Sequence, residues 1–470
     1  MLTSLKRLFV ATAIATGGGS LGLGSLVAQE NNGFAATDSV AVQDPYSIGF
    51  DDFDLSTVED NSEPVVGAVP VATDVDIDAA IEQQQGRLRT GDGGRNLHAQ
   101  VLLGRLWLRK AKEEDFLPGY QRSVDLLEEV TATLPEFRFA KQSLAESYLA
   151  THRFSDAARL VGELRKLAKP TASVLALEFD AHLELGNLEQ ALRSLAALQA
   201  LEESPPVMAR SARLRELGGD LAGAANLIRD AVCELEQLTD DPRSLVWYHW
   251  RLGQLHFGQG NLDAAKSALQ RALDISPDDE ASLMSMAHVL FAESDLESSE
   301  QFLRRAAVNQ APPVLAVLGD LMAVQGQLKE ARQLWGNTLE AMDEEAKVAK
   351  VAHAREVAMF LADHQMDLDR ASRLAELDFE QRQDAFAWDC RAWVAFRQGD
   401  LDAAQNCISR ALDGVRGSSQ VLYHAAWIAC ERGQLKEARE SLKRLDALNP
   451  RFSITAAREL DELRKKMNDQ

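Results

Sequence analysis

The chain has 470 residues, a formal net charge of −22 and only 6% aromatic residues. That charge argues against nucleic acid or anionic lipid as a partner, since their phosphates would repel it, and the aromatic content is too low for a β-sandwich. A chain of this length is either several globular domains or one repeat array, and its wealth of Ala, Leu, Glu, Arg and Gln points to helices in an array.

Lys6 and Arg7 precede an apolar stretch from Leu8 that ends in Leu26-Val27-Ala28. This is the order of a secretory signal peptide over residues 1–28, with cleavage expected after Ala28. The alternative is an uncleaved membrane anchor, which Gly17, Gly18, Gly19, Gly22 and Gly24 disfavour by lowering helix propensity. Either way the expected location is outside the cytoplasm, in a periplasm or cell envelope. Residues 29–86 hold thirteen acidic side chains and no Lys or Arg, and residues 29–74 read as a disordered acidic linker. Within residues 75–96, a first helix from Val75 to Gln85 is followed by the chain-breaking run Thr90-Gly91-Asp92-Gly93-Gly94.

Beyond this, one phrase recurs: Gly, then Asn, Asp or Gln, then Leu, with Ala three residues on. Clear copies begin at Gly186, Gly219, Gly260, Gly326, Gly399 and Gly433. Weaker ones are Arg153-Phe154 with Ala157, Ser294-Asp295-Leu296 with Ser299, and Met366-Asp367-Leu368 with Ala371. From His152, the Gly-equivalent positions are 34, 33, 41, 34, 32, 40, 33 and 34 residues apart. A period near 34 means stacked helical hairpins. Gly supplies the left-handed residue that ends a first helix, the Asn or Asp beside it can cap the second, and Ala lets the two helices approach. Small residues face it from the first helix: Ala145, Ala212, Gly253, Ala287, Gly319, Ala392 and Ala426.

These residues resemble the tetratricopeptide repeat. The best copy is Val246–Asp279, with Leu252-Gly253, Gly260, Ala265, Ala272 and Pro277 in the family's places. In this register ten units start near Leu97, Arg138, Ala172, Pro205, Val246, Glu280, Pro312, Ala352, Ala385 and Ser419, filling residues 97–450. Insertions fall near Glu113–Gly119, Glu234–Ser244 and Met342–Val351. Residues 451–470 carry an apolar stripe of Phe452, Ile454, Ala457, Leu460, Leu463 and Met467, as a capping helix would. The resemblance implies an all-α, right-handed superhelical solenoid of antiparallel helix hairpins.

The array leaves no room for a catalytic domain, and no GxxxxGK[ST], HExxH or GxSxG motif occurs. No catalytic residue, metal or cofactor is expected. Cys233, Cys390, Cys407 and Cys430 read as buried thiols, with a disulfide among the last three as the alternative. The resemblance implies a concave groove lined by first helices, and so a protein or peptide partner. Counting from the small-residue contact turns Trp247, Trp250, Gln254 and Phe257 inward. The equivalent places are Met284, His288 and Phe291, then Phe360, then Phe386, Trp393 and Phe396, then Tyr423 and Trp427. Aromatics there are either peptide anchors or packing between repeats. The Lys and Asn that cochaperone members of the family use to hold a C-terminal carboxylate are absent: their places carry Trp250 and Gln254, Met284 and His288, Asp389 and Trp393. The leading expectation is an exported protein-binding scaffold. The alternative is an envelope assembly part that docks or self-associates, and no small-molecule substrate is evident.

Overall fold

The computed structural model describes residues 76–90, 96–114, 116–238, 244–347 and 353–469. The expected signal peptide and acidic linker lie outside them. Among the described residues there are twenty-two α-helices and no strand. A lone helix, α1 (Ile77–Thr90), precedes ten hairpins. Units 1 to 5 are α2 (Leu97–Glu114) with α3 (Pro118–Thr133), α4 (Arg138–Ala150) with α5 (Phe154–Leu167), α6 (Ala172–Glu184) with α7 (Leu188–Gln199), α8 (Pro205–Leu217) with α9 (Leu221–Leu238), and α10 (Leu245–Gly258) with α11 (Leu262–Ile275). Units 6 to 10 are α12 (Glu280–Ala292) with α13 (Leu296–Ala306), α14 (Pro312–Val324) with α15 (Leu328–Ala346), α16 (Ala354–Asp363) with α17 (Leu368–Gln381), α18 (Ala385–Arg397) with α19 (Leu401–Gly414), and α20 (Ser419–Glu431) with α21 (Leu435–Leu448). The last helix is α22 (Ala457–Asn468). Every unit begins within two residues of the position expected from the repeat.

The nine turns from Arg153 onward share one hydrogen bond. The amide immediately before the second helix, or in unit 8 the one before that, donates to the carbonyl five residues back: Asn187 N–H to His182 O at 2.8 Å, Gln327 N–H to Met322 O at 2.8 Å, Gln434 N–H to Ala429 O at 2.8 Å. This closure requires a left-handed residue just before the donor. All six expected glycines have positive φ, and His152, Ser294 and Gln365 take the same place in the weaker copies. The last differs from expectation, because the register had put Met366 there. Asp367 is an inserted residue, itself left-handed at φ 31°, and its carboxylate caps α17 through the Arg370 amide. Side-chain capping is also narrower than expected. Asp220, Asp295 and Asp400 accept an amide of the following helix. Asn187 and Asn261 turn instead to His182 and Gln259.

Within hairpins the small-residue contact is tight. A Cβ on Gly253 would lie 2.6 Å from Leu269 Cγ, and one on Gly319 would lie 2.7 Å from the Trp335 ring. The two longest intervals are taken up by lengthening α9 and α15 to 18 and 19 residues. Cys390, Cys407 and Cys430 are buried and unpaired as thiols, whereas Cys233 is exposed, contrary to expectation.

The superhelix closes on itself. The hairpin turn of unit 3 meets the connector before unit 9, where a Cβ on Gly186 would run into the Gln383 carbonyl. The turn of unit 4 meets the connector before unit 10: Arg416 N–H donates to Leu217 O at 2.8 Å. The turn of unit 5 meets the chain after unit 10: Asn449 Nδ2 donates to Phe257 O at 2.8 Å. A Cβ on Gly260 would lie 2.7 Å from Leu448 O. Each hairpin turn in this run thus rests on the connector five units further on.

Buried charge fills part of this seam. Arg355 pairs with Asp378 and Asp384, both at 2.8 Å, and Arg382 pairs with Asp378 at 2.7 Å. Burial alone would raise the Asp378 carboxyl, but the two guanidiniums more than offset it and hold it below the usual carboxylate range. Glu184, reaching in from unit 3, is pushed up to about 7 by burial and by the neighbouring Asp384.

Candidate interaction groove

The inner face of the superhelix is built by one repeating position, the ninth residue of each first helix in the register of the repeat. It carries Arg213, Gln254, His288, Asp320, Phe360, Trp393 and Trp427 in units 4 to 10. The thirteen residues expected in the groove divide by exposure. Trp250, Met284, His288, Phe291, Phe360, Phe386, Trp393 and Tyr423 are buried. Trp247, Gln254, Phe257, Phe396 and Trp427 are half-buried.

Trp393 has no exposed surface. Its ring lies between Phe396, at 5.0 Å and 13°, and His424, at 4.0 Å and 17°, with the Arg397 guanidinium 4.2 Å from its centroid. Its indole N–H donates to Asp363 Oδ1 of unit 8 at 2.7 Å. Phe396 in turn touches Trp427 at 6.2 Å, so Trp393 and Trp427 are linked through it. Trp250 donates to Ser285 Oγ at 3.0 Å, again from one unit to the next. These two tryptophans are packing between repeats. Trp427 is half-buried and so the more available of the C-terminal pair, although its indole nitrogen is itself buried without a hydrogen-bond partner.

The expected cap does more than cover the end of the stack. The segment from Asn449 to Glu459 runs along the inner face and ties distant units together. Arg451 bonds to Ser294 Oγ at 2.6 Å and lies 5.0 Å from the Phe291 ring centroid. Phe452 packs on Tyr423 at 5.9 Å. The Thr455 hydroxyl donates to Asp320 Oδ2 at 2.5 Å. Glu459 accepts from Arg397 Nη2 at 2.6 Å and from the Tyr423 hydroxyl at 2.9 Å. Ile454 is buried in the core of units 5 to 7, and Leu460, Leu463 and Met467 in that of units 8 to 10. Phe291, Tyr423 and Trp427 therefore already hold a peptide, this chain's own, with Lys466 5.9 Å from the Trp427 ring, while Phe257 meets it through its carbonyl.

Asp320 is the hub that aromatic content could not reveal. Its Oδ1 accepts from Trp335 Nε1 at 3.0 Å and from His364 Nε2 at 2.8 Å. Burial pulls His364 down, but Asp320 beside it more than restores it, leaving it above the ordinary histidine value. The repeat register would have found Asp320, since it stands where His288 and Trp393 stand in their units.

Between the tail and units 4 to 6 remains a cavity of about 100 Å³. Arg251, Gln254 and Phe257 of α10, Ser285 and His288 of α12, Ser418 to Gln420 at the start of α20, and Phe452 line it. Arg251 is paired to Glu216. His288 is pushed down to about 4 by burial, so it is neutral near pH 7, and neither ring nitrogen has a hydrogen-bond partner. Gln420 Oε1 has none either. Among the described residues no cluster of His, Cys, Asp and Glu has the make-up of a metal site, and no helix is long and apolar enough to cross a membrane.

Ten antiparallel hairpins in one stack define a helical-repeat solenoid, the architecture by which repeat proteins present extended binding surfaces. Two segments, residues 256–311 and 391–451, match family descriptions of the tetratricopeptide repeat. Over these two segments the chain carries the tetratricopeptide repeat. Comparison with the sequences of curated proteins gave no match. Among solved structures it is similar to a human IFIT1 dimer with PPP-AAAA, at 13% identity and a TM-score of 0.45, over 72% of this chain and 77% of that one. It is also similar to yeast Tom70, at 12% identity and a TM-score of 0.32, over 83% and 93% of the two chains. A third likeness is to a tetratricopeptide repeat protein from Parabacteroides merdae, at 17% identity and a TM-score of 0.31, over 57% and 100%.

Proposed function

We propose that this protein is an exported scaffold that holds a protein or peptide partner on the inner face of its superhelix. The observation that carries the reading is the inner face of units 5 to 10, where Asp320, Arg397 and Tyr423 already bind a segment in peptide fashion and Gln254, Phe257, Phe396 and Trp427 stay half-buried. A preformed surface of this kind lowers the ordering cost of binding. Export rests on the N-terminal order of basic, apolar and small residues, and the net charge of −22 supports a protein partner over nucleic acid. Nothing in the reading calls for catalysis, a cofactor or a small-molecule substrate.

A second reading, an assembly part of the cell envelope, is favoured by the outer face. Leu188, Leu192 and Leu201 on and just after α7 are 43%, 50% and 48% exposed. Photo-crosslinkers placed in living cells at Phe257, on the inner face, and at Leu192, on the outer, separate the two. The scaffold reading expects a partner captured from Phe257 and not from Leu192. Capture from Leu192 alone, or of a second copy of the chain, contradicts it.

A further inference from the structure

We propose that the inner face of units 5 to 10 is a docking surface for a partner segment with the chemistry of this chain's own tail, and that the tail occupies it until displaced. The proposal rests on the scaffold reading and names its partner class: an extended stretch bearing a hydroxyl, running into an amphipathic helix with a carboxylate in its first turn. The tail shows what the surface accepts. Asp320 takes the Thr455 hydroxyl, Arg397 and Tyr423 take the Glu459 carboxylate, and the core of units 8 to 10 takes Leu460, Leu463 and Met467.

The tail is nevertheless an incomplete occupant. Beside Phe452 it leaves the cavity of about 100 Å³. His288, 3% exposed, and Gln420, 6% exposed, border that space with three polar atoms unpartnered. Native interiors seldom leave such groups unsatisfied, and the Phe452 ring has nothing to offer them. A segment with an amide side chain at the place of Phe452 both donates and accepts, so it can pair these groups. The partner's pattern follows: amide, a hydroxyl three residues on, a carboxylate four further, then apolar residues at the spacing of Leu460, Leu463 and Met467. Tethering gives the tail a high effective concentration, so only a better-fitting segment displaces it.

The test uses the full chain and a fluorescent peptide of residues 449–468, with a second peptide carrying Phe452→Asn. Binding is read by anisotropy against wild type, Glu459→Ala and Thr455→Val. The expected result is binding to both variants at least tenfold tighter than to wild type, tighter again for the Phe452→Asn peptide, and lost when Arg397→Ala is added. Equal affinity for wild type and variants overturns the proposal. So does a concentration-dependent dimer of wild type that Glu459→Ala abolishes, which would make a second copy the occupant. If the variants lose helicity, amide exchange on wild type decides: α22 should exchange at least tenfold faster than α20, and equal protection overturns displacement. Partner capture from Phe257 that is unchanged by Glu459→Ala would sink this proposal while leaving the scaffold reading standing.

Discussion

At the residue scale, position in the repeat decides more than residue type. Trp393 and Trp427 are equivalent in sequence, yet the first is fully buried and the second is half-exposed. The difference comes from the neighbour that follows. Unit 10 stacks its His424 on Trp393, while on the side beyond unit 10 Trp427 meets Lys466 of α22. Trp393→Ala should therefore cost about 3–5 kcal/mol, the range for deleting a buried aromatic, and leave the Asp363 carboxylate without its indole donor. Trp427→Ala should cost far less and is the variant suited to binding assays. Chemical denaturation followed by circular dichroism measures both. Equal destabilisation would mean that both rings are core.

At the element scale, eight of the nine hairpin turns were legible to the residue and that of unit 8 to within one, because each turn needs a left-handed residue and each hairpin needs a close approach. These are local requirements that leave Gly and Ala in fixed places. The cap was only half legible. Asp, short and charged, accepts the helix amide at Asp220, Asp295 and Asp400, while Asn finds other partners and Gln434 makes no side-chain cap. Gln434→Asp should add a cap to α21 and stabilise it by about 1 kcal/mol. A rise of the melting temperature by a degree or more checks this, and no rise would show that the turn bond alone satisfies the helix start. Asp320 is hard to read from sequence, because a lone carboxylate on a helix looks like surface charge until folding brings Trp335, His364 and Thr455 to it.

At the scale of the whole molecule, the sequence carried the stack but not its closure. Contacts such as Arg416 to Leu217 join residues about two hundred apart, and no periodicity near 34 reports them. Gly186, Gly260 and Gly433 look alike in sequence. Gly433 has open space around its missing Cβ, while Gly186 and Gly260 also make room for the next superhelical turn. The seam should respond to pH. Glu184 is raised to about 7 when folded, so its contribution to stability is fully present below its unfolded value near 4.5 and is lost as pH rises through 7. Glu184→Gln should raise the melting temperature at pH 8 and leave it nearly unchanged at pH 4.5. The same gain at both pH values would show that Glu184 does not titrate in this window.

The central claim is that the superhelix is closed, with its inner face reserved for a peptide rather than open to solvent. The amide of Arg416 reports on this directly, because it lies in a connector and its hydrogen bond goes to Leu217 of another superhelical turn. In the native full-length chain, nuclear magnetic resonance should find this amide exchanging as slowly as those within α19. Exchange at the rate of an unprotected loop amide would contradict closure, and with it the account of the inner face given above.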